Sequence, residues 1–235
     1  MRVLFTNRFR DERNIIAELA LRREVAVIVL CGGLGLETTD TTVAAWARAQ
    51  EPIKTLVVPG PEDRDMLMPE NISNGLLRIS NFEFSGLDCI PDDGRLNKFR
   101  CRRDDDYFNF PEQHVGVDPV WPETARGLYT ISTRLALLPT PQAFISSVYV
   151  LPPPYGVSFS SEKIGDPCPH CKRPFEPYVP INGSRAVRRF IEDHQPRMVI
   201  HQYEGAEWSE KMVGRTKCVL LGKTVVYDLL TRERV

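Results

Sequence analysis

The chain has 235 residues, 42% hydrophobic and 26% charged, and its thirty basic and thirty-one acidic side chains leave a formal charge of −1. That length supports one sizeable core, and the near-neutral balance leaves no electrostatic footprint for nucleic acid or an anionic membrane. No apolar run approaches the roughly 18 residues of a membrane span, and the opening MRVLFTNRFRDER lacks the apolar stretch of a secretory signal, so a cytoplasmic location is expected.

In chain order, Val3 to Phe5 begins a short apolar strand. Asp11 and Glu12 follow where a helix N-terminus favours acids, and Ile15, Ile16, Leu19 and Ala20 fall on one helical face. The continuous apolar run Val25 to Leu30 is the pattern of a strand buried on both faces. Asp40 is placed to cap a helix carrying Val43, Trp46 and Ala47, and Ile53 to Val58 gives another buried strand. Strands alternating with helices predict right-handed βαβ units and a largely parallel sheet. Leu76 to Ile79 and Phe82 to Phe84 flank Ser80-Asn81 as a hairpin.

Asp88 to Val120 reads as irregular, and the nineteen prolines, concentrated between Pro111 and Pro180, point to a loop-rich middle. Glu123 to Leu138 is helical in pattern and Ser147 to Val150 is a strand. Ser184 is placed to cap the helix RAVRRFIEDHQ, which Pro196 ends. Met198 to His201, Lys217 to Leu221 and Thr224 to Leu229 are the closing strands. One domain over residues 1–235, with irregular insertions at 88–122 and 157–182, fits this order better than two.

Of the six cysteines, Cys168 and Cys171 stand in the run Cys168-Pro169-His170-Cys171-Lys172, the form of half a zinc knuckle. Cys89 and Cys101 are candidates for the other half, with His170 or His114 as substitutes, so a structural zinc stapling two loops is one expectation. Free thiols or a redox pair are the alternatives. Cys31 and Cys218 lie in apolar strands and read as small core residues. His194, at the end of its helix, reads as structural, and the mixed-sign run Arg100 to Asp106 reads as a solvated or internally paired loop. Tyr107, Phe108, Phe110 and Trp121 offer either an aromatic interface or a small core of their own.

Several landmarks arrive in a fixed order: a strand leading to a loop over Thr6 to Asp11, then VIVLCGGLG, LVVPGPED, NGLLRISNFEFSGLD, VYVLPPPYG and GSRAVRRFIEDHQPRMVIHQYEG. This order resembles the calcineurin-like metallophosphoesterases, over residues 1–87 and 145–230. The resemblance implies a four-layer α/β/β/α sandwich with a loop-rich central insertion. Catalysis in that family uses two metals about 3.5–4 Å apart, held by the motifs D-x-H, G-D, G-N-H-D, a histidine after a strand, and G-H-x-H. Here the D-x-H positions fall on Arg8 and Arg10, and the G-D aspartate falls on Gly33 or Leu34. In G-N-H-D, Pro61 and Glu62 replace Asn and His and only Asp63 is kept. The next histidine is Leu151, and the last two fall on Tyr203 and Gly205, while His201 precedes that motif.

Arginine has no lone pair for a metal, so no catalytic dimetal centre is expected. Two readings of the old cleft stay open: Arg8 and Arg10 capture a small anion, or they pair with Glu62 and Asp63 and close it. The resemblance therefore implies a catalytically inactive scaffold with a protein partner, as the phosphoesterase-fold subunits of retromer and replicative DNA polymerases are. The alternatives are an anion or nucleotide sensor using Arg8 and Arg10, or an active phosphoesterase with new ligands drawn from Asp11, Glu62, Asp63, His201 and Glu204.

Overall fold

Short runs of β-branched and large apolar residues make the strands of this chain, and amphipathic segments between them make its helices. The computed structural model describes residues 1–35, 38–60, 63, 70–73, 75–87, 90–91, 101–102, 131–140, 146–152, 154, 184–202 and 208–235. In chain order these form β1 (Arg2–Thr6), α1 (Phe9–Arg22), β2 (Val27–Cys31), α2 (Asp40–Ala49), β3 (Lys54–Val58), β4 (Leu77–Ile79) and β5 (Phe82–Gly86). Then come β6 (Ile90–Pro91), β7 (Cys101–Arg102), α3 (Ile131–Ala136), β8 (Ser146–Leu151), α4 (Arg185–His194) and β9 (Met198–Gln202). The chain ends with β10 (Ser209–Val213), β11 (Thr216–Leu221), β12 (Val225–Asp228) and β13 (Glu233–Arg234). None of the described helices is long and apolar enough to cross a membrane.

The strands make two mixed sheets and a short parallel pair, β6 with β7. The first sheet runs β13-β12-β1-β2-β3 and the second β10-β11-β9-β8-β5-β4. The chain is thus α/β, and the strands whose alternation with helices predicted parallel pairing, β1, β2 and β3, do pair in parallel within a sheet that is mixed as a whole. Parallel pairing holds β1, β2 and β3 together, and likewise β5, β8, β9 and β11, while the antiparallel strands β4, β10, β12 and β13 lie at the margins. Period-2 alternation explains the burial. Val3, Phe5, Val27 and Val29 of the first sheet share one core with Phe82, Phe84, Val148, Val150, Ile200 and Val219 of the second. The intervening residues Leu4, Ile28 and Leu30 pack with Phe9, Ile16, Ala20 and Val43 of α1 and α2. Tyr149, Leu151, Val199 and Cys218 of the second sheet pack with Ile131 and Leu135 of α3 and Val187, Phe190 and Ile191 of α4.

Several local expectations shift. The cap of α2 is Thr39, whose side chain accepts from the Thr42 amide, and Asp40 is the first helical residue instead. On α1, Ile16 and Ala20 are buried but Ile15 is 57% exposed, because the apolar stripe turns toward Phe9 and leaves Ile15 at its margin. The segment read as irregular contains β6 and β7, and Ile90 pairs with Cys101 in parallel register. Only Ile131–Ala136 of the helical pattern over Glu123 to Leu138 falls among the described helices. Neither β10 nor β13 stands out in the sequence, since Ser209-Glu210-Lys211 and Glu233-Arg234 are polar. The hairpin at Ser80-Asn81 is present, with Ser80 at φ 55°, and Ser184 caps α4 by accepting from Val187 N at 3.0 Å.

Candidate functional site

The parallel strands of both sheets deliver their C-terminal ends to one end of the molecule, where open α/β sheets hold ligands. The loop after β1 is tied there to the loop after β11. Asn7 Nδ2 donates to the Leu221 carbonyl at 2.9 Å, and Thr6 and Thr224 share a hydroxyl hydrogen bond of 2.7 Å. Arg8, exposed at the start of α1, belongs to the same tie. Its guanidinium pairs with Glu12 at 3.2 Å and donates to the Gly222 carbonyl at 3.1 Å, and Glu12 accepts from Thr224 Oγ1 at 3.0 Å. Arg8 therefore acts as a strap between two loops rather than as a partner of Asp63.

Arg10 follows on the first turn of α1 with its side chain exposed, and its amide donates to the Gly33 carbonyl at 3.0 Å. Gly33 has φ +67°, and a Cβ there would lie 1.8 Å from the Asn7 carbonyl oxygen. The backbones after β1 and β2 thus touch at a point that admits only glycine. No ligand-bearing side chain has room at that position.

Asp63 is the buried carboxylate of this end, 2% exposed. One oxygen accepts from Leu34 N and Gly35 N, both at 2.8 Å, and the other accepts from Gly60 N at 2.6 Å. Three backbone amides converging on one acid pin the loop after β2 to the loop after β3, the work of a structural carboxylate. Leu151, at the end of β8, is buried apolar surface packed toward α4.

His201 is fully buried at the end of β9, level with Leu151. Its Nδ1 lies 3.1 Å from the Leu151 carbonyl and 3.0 Å from that of Pro152. Both neighbours are acceptors, so Nδ1 carries the proton and Nε2 keeps its lone pair. Burial lowers the His201 pKa to about 4, against a smaller opposing effect of those two carbonyl contacts, so the ring is neutral at pH 7.

Sequence reasoning thus placed Arg8, Arg10, Gly33, Asp63 and Leu151 at one end of the strands, and the structure describes all of them there. Arg8 meets Glu12 and the Gly222 carbonyl, and Asp63 accepts from backbone amides. Glu12 and Thr224 were missed as members of the site, because nothing in their local sequence marks a contact between residues at opposite ends of the chain. Pro61, Glu62, Tyr203, Glu204 and Gly205 lie outside the described residues, as do Cys89, Cys168, Cys171, His114 and His170. So do Tyr107, Phe108, Phe110 and Trp121. Cys101 is described as a strand residue only.

The described positions suit a pair of divalent cations poorly. A strapped guanidinium, a glycine without room for a side chain and a buried leucine offer no ligand atom, and the Asp63 carboxylate already accepts from three amides. Cys31 and Cys218, both in strands, are buried and free. Burial pushes the Cys31 thiol far up and Cys218 up to about 12, so both are core residues without thiolate character. His194, in the last turn of α4, packs against the Phe190 ring at a tilt of 59° with ring centroids 4.7 Å apart.

No protein-family model matches this chain. No curated protein matches it either. Among solved structures it is similar to TT1561 of Thermus thermophilus, with a TM-score of 0.58 and 16% identity over 100% of this chain and 96% of that one. A second solved structure is similar at a TM-score of 0.56 and 15% identity, over 100% of this chain and 97% of the other. At such identities the likeness is one of fold.

Proposed function

We propose that this chain is a calcineurin-like metallophosphoesterase in fold, a four-layer α/β/β/α sandwich, whose cleft no longer holds a dimetal centre and which serves as a protein-binding scaffold subunit. The observation that carries this reading is the state of the cleft residues. Arg8 straps two loops where the family places a metal ligand, and Asp63, the one acid kept from its motif, spends both oxygens on backbone amides. Two sheets sharing one core, with helices against the outer face of each, support the sandwich assignment. A structural zinc held by Cys89, Cys101, Cys168 and Cys171 is part of the same proposal, supported by the C-P-x-C-K spacing and by the pairing of Ile90, next to Cys89 in sequence, with Cys101.

A small-anion site at Arg8 and Arg10 is less favoured, because the Arg8 guanidinium is engaged with Glu12 and Gly222. The test is hydrolysis of a generic phosphodiester such as bis-p-nitrophenyl phosphate with added Mn²⁺. The scaffold reading expects no turnover above the metal-only blank. Turnover abolished by Asp63→Asn in a folded protein would overturn it.

A further inference from the structure

At the end of the molecule opposite the cleft, three turns meet. The β10–β11 turn packs on the turn before β9: Arg215 N donates to Gln195 Oε1 at 2.5 Å, and Thr216 Oγ1 donates to the Pro196 carbonyl at 2.7 Å. Gly214 makes this approach feasible, since it has φ +59° and a Cβ there would sit 2.3 Å from the Gln195 side chain. The segment between β12 and β13 closes on both. Arg197 Nε donates to the Leu229 carbonyl at 2.7 Å, Arg232 Nη1 donates to the Arg215 carbonyl at 2.7 Å, and Lys217 Nζ donates to the Arg232 carbonyl at 2.7 Å.

Three cations, Arg197, Lys217 and Arg232, are thereby oriented by main-chain carbonyls beside the exposed Arg215, whose backbone amide and carbonyl join the same cluster. Among the described residues Glu210 is the one carboxylate in contact with them, at 2.7 Å from Lys217. Two further acids lie nearby: Asp228 accepts from the chain's N-terminal ammonium at 3.4 Å and from Leu230 N at 2.8 Å, and Glu233, exposed and next to Arg232 in sequence, is its partner across the β12–β13 ladder. Burial, and to a smaller extent the positive charge of Arg232, lower the Arg197 pKa from its ordinary value. Two exposed apolar side chains border the cluster: Met212, 55% exposed and directly across the ladder from Lys217, and Leu230, 67% exposed and next to Leu229.

We propose that this surface, Arg197, Arg215, Lys217 and Arg232 bordered by Met212 and Leu230, docks an acidic segment of a partner protein that carries apolar side chains. The proposal rests on the protein-binding reading above and names the surface it uses. Charge complementarity selects the acid, and the apolar border selects a peptide over a bare anion. Single-stranded nucleic acid is disfavoured because stacking needs an open aromatic face. Trp208, on the adjoining edge, has the Arg234 guanidinium 4.5 Å and the Lys223 ammonium 5.7 Å from its ring centroid.

The test is fluorescence anisotropy of the full chain with a fluorescein-labelled glutamate-rich peptide containing leucines, beside a thymidine oligonucleotide of equal charge and inorganic phosphate. Binding of the peptide is expected at low salt, with loss on the order of tenfold as salt rises to about 0.5 M. Arg215→Glu should weaken it about tenfold, since it turns one attraction into a repulsion, and Arg215→Ala about threefold. Arg48→Glu, a charge reversal on α2, should leave it unchanged. Arg215 is exposed and its guanidinium makes no contact with described residues, so these variants keep the fold. No peptide binding, equal binding by Arg215→Glu, or equal affinity for the oligonucleotide or phosphate overturns the surface. A cellular partner that stays bound to the Arg215→Glu protein would sink this surface while leaving the protein-binding reading intact.

Discussion

Replacing Asp63 separates a structural carboxylate from a catalytic one. The native acid accepts from Leu34 N, Gly35 N and Gly60 N at 2.6 to 2.8 Å while 2% exposed. Asp63→Ala strands two buried amides, Leu34 N and Gly60 N, and the part-buried Gly35 N, and a buried amide left without an acceptor costs about 1–3 kcal/mol. Partial rehydration and relaxation make the costs less than additive, so the expected loss is about 4 kcal/mol, a large share of the roughly 5–15 kcal/mol that holds a domain together. Asp63→Asn retains one carbonyl oxygen for the Leu34 and Gly35 amides and turns its own donor toward Gly60 N. Its loss should be smaller, about 2 kcal/mol. Urea unfolding followed by tryptophan fluorescence measures both, with the m-value reporting whether the transition stays two-state. If Asp63→Ala unfolds within about 1 kcal/mol of the native chain, or gains stability as an emptied metal site does when a crowded acid leaves, the structural assignment is refuted.

Further predictions concern single contacts. His201 titrates at about 4 in the fold against 6.5 unfolded, so the unfolded chain binds the extra proton between those values and stability rises with pH across that window. The loss on acidification from pH 7 to pH 4 is about 3 kcal/mol, and His201→Asn, which keeps a donor for the Leu151 and Pro152 carbonyls, should flatten the slope of urea midpoint against pH. Gly33→Ala drives a methyl into the Asn7 carbonyl at a positive φ, and should cost more than about 3 kcal/mol or prevent folding, as read by thermal melting. Ser184→Ala removes the cap of α4 and should cost about 1 kcal/mol in the same assay. Cys31 and Cys218 should resist Ellman's reagent in the native chain and react only on unfolding.

The sequence announced the interior strands and left the margins of the fold obscure, for a physical reason. Strands buried on both faces, such as Val27–Cys31 and Lys54–Val58, carry apolar runs that few other structures tolerate. Edge strands β10 and β13 face solvent on one side and read as charged turn sequence, so nothing local separates them from loops. The hairpin at Ser80-Asn81 and the Ser184 cap were legible because their chemistry is complete within a few residues. The site was legible in place and not in pairing. Motif order put Arg8 and Asp63 at the strand ends, but the bonds that define their roles run to Gly222 and to the amides of Leu34, Gly35 and Gly60. Those contacts depend on the closeness of loops far apart in sequence, which only the folded sheets supply.

The central claim, a phosphoesterase scaffold without its dimetal centre, is tested most directly by metal content per folded chain after expression in medium supplemented with zinc, manganese and iron. The account predicts zinc bound by Cys89, Cys101, Cys168 and Cys171 at about one ion per chain, in the tetrahedral manner of a structural site, with manganese and iron at background. Two ions per chain that survive alanine replacement of Cys168 and Cys171, and that leave when Asp63 is changed to Asn, would contradict it.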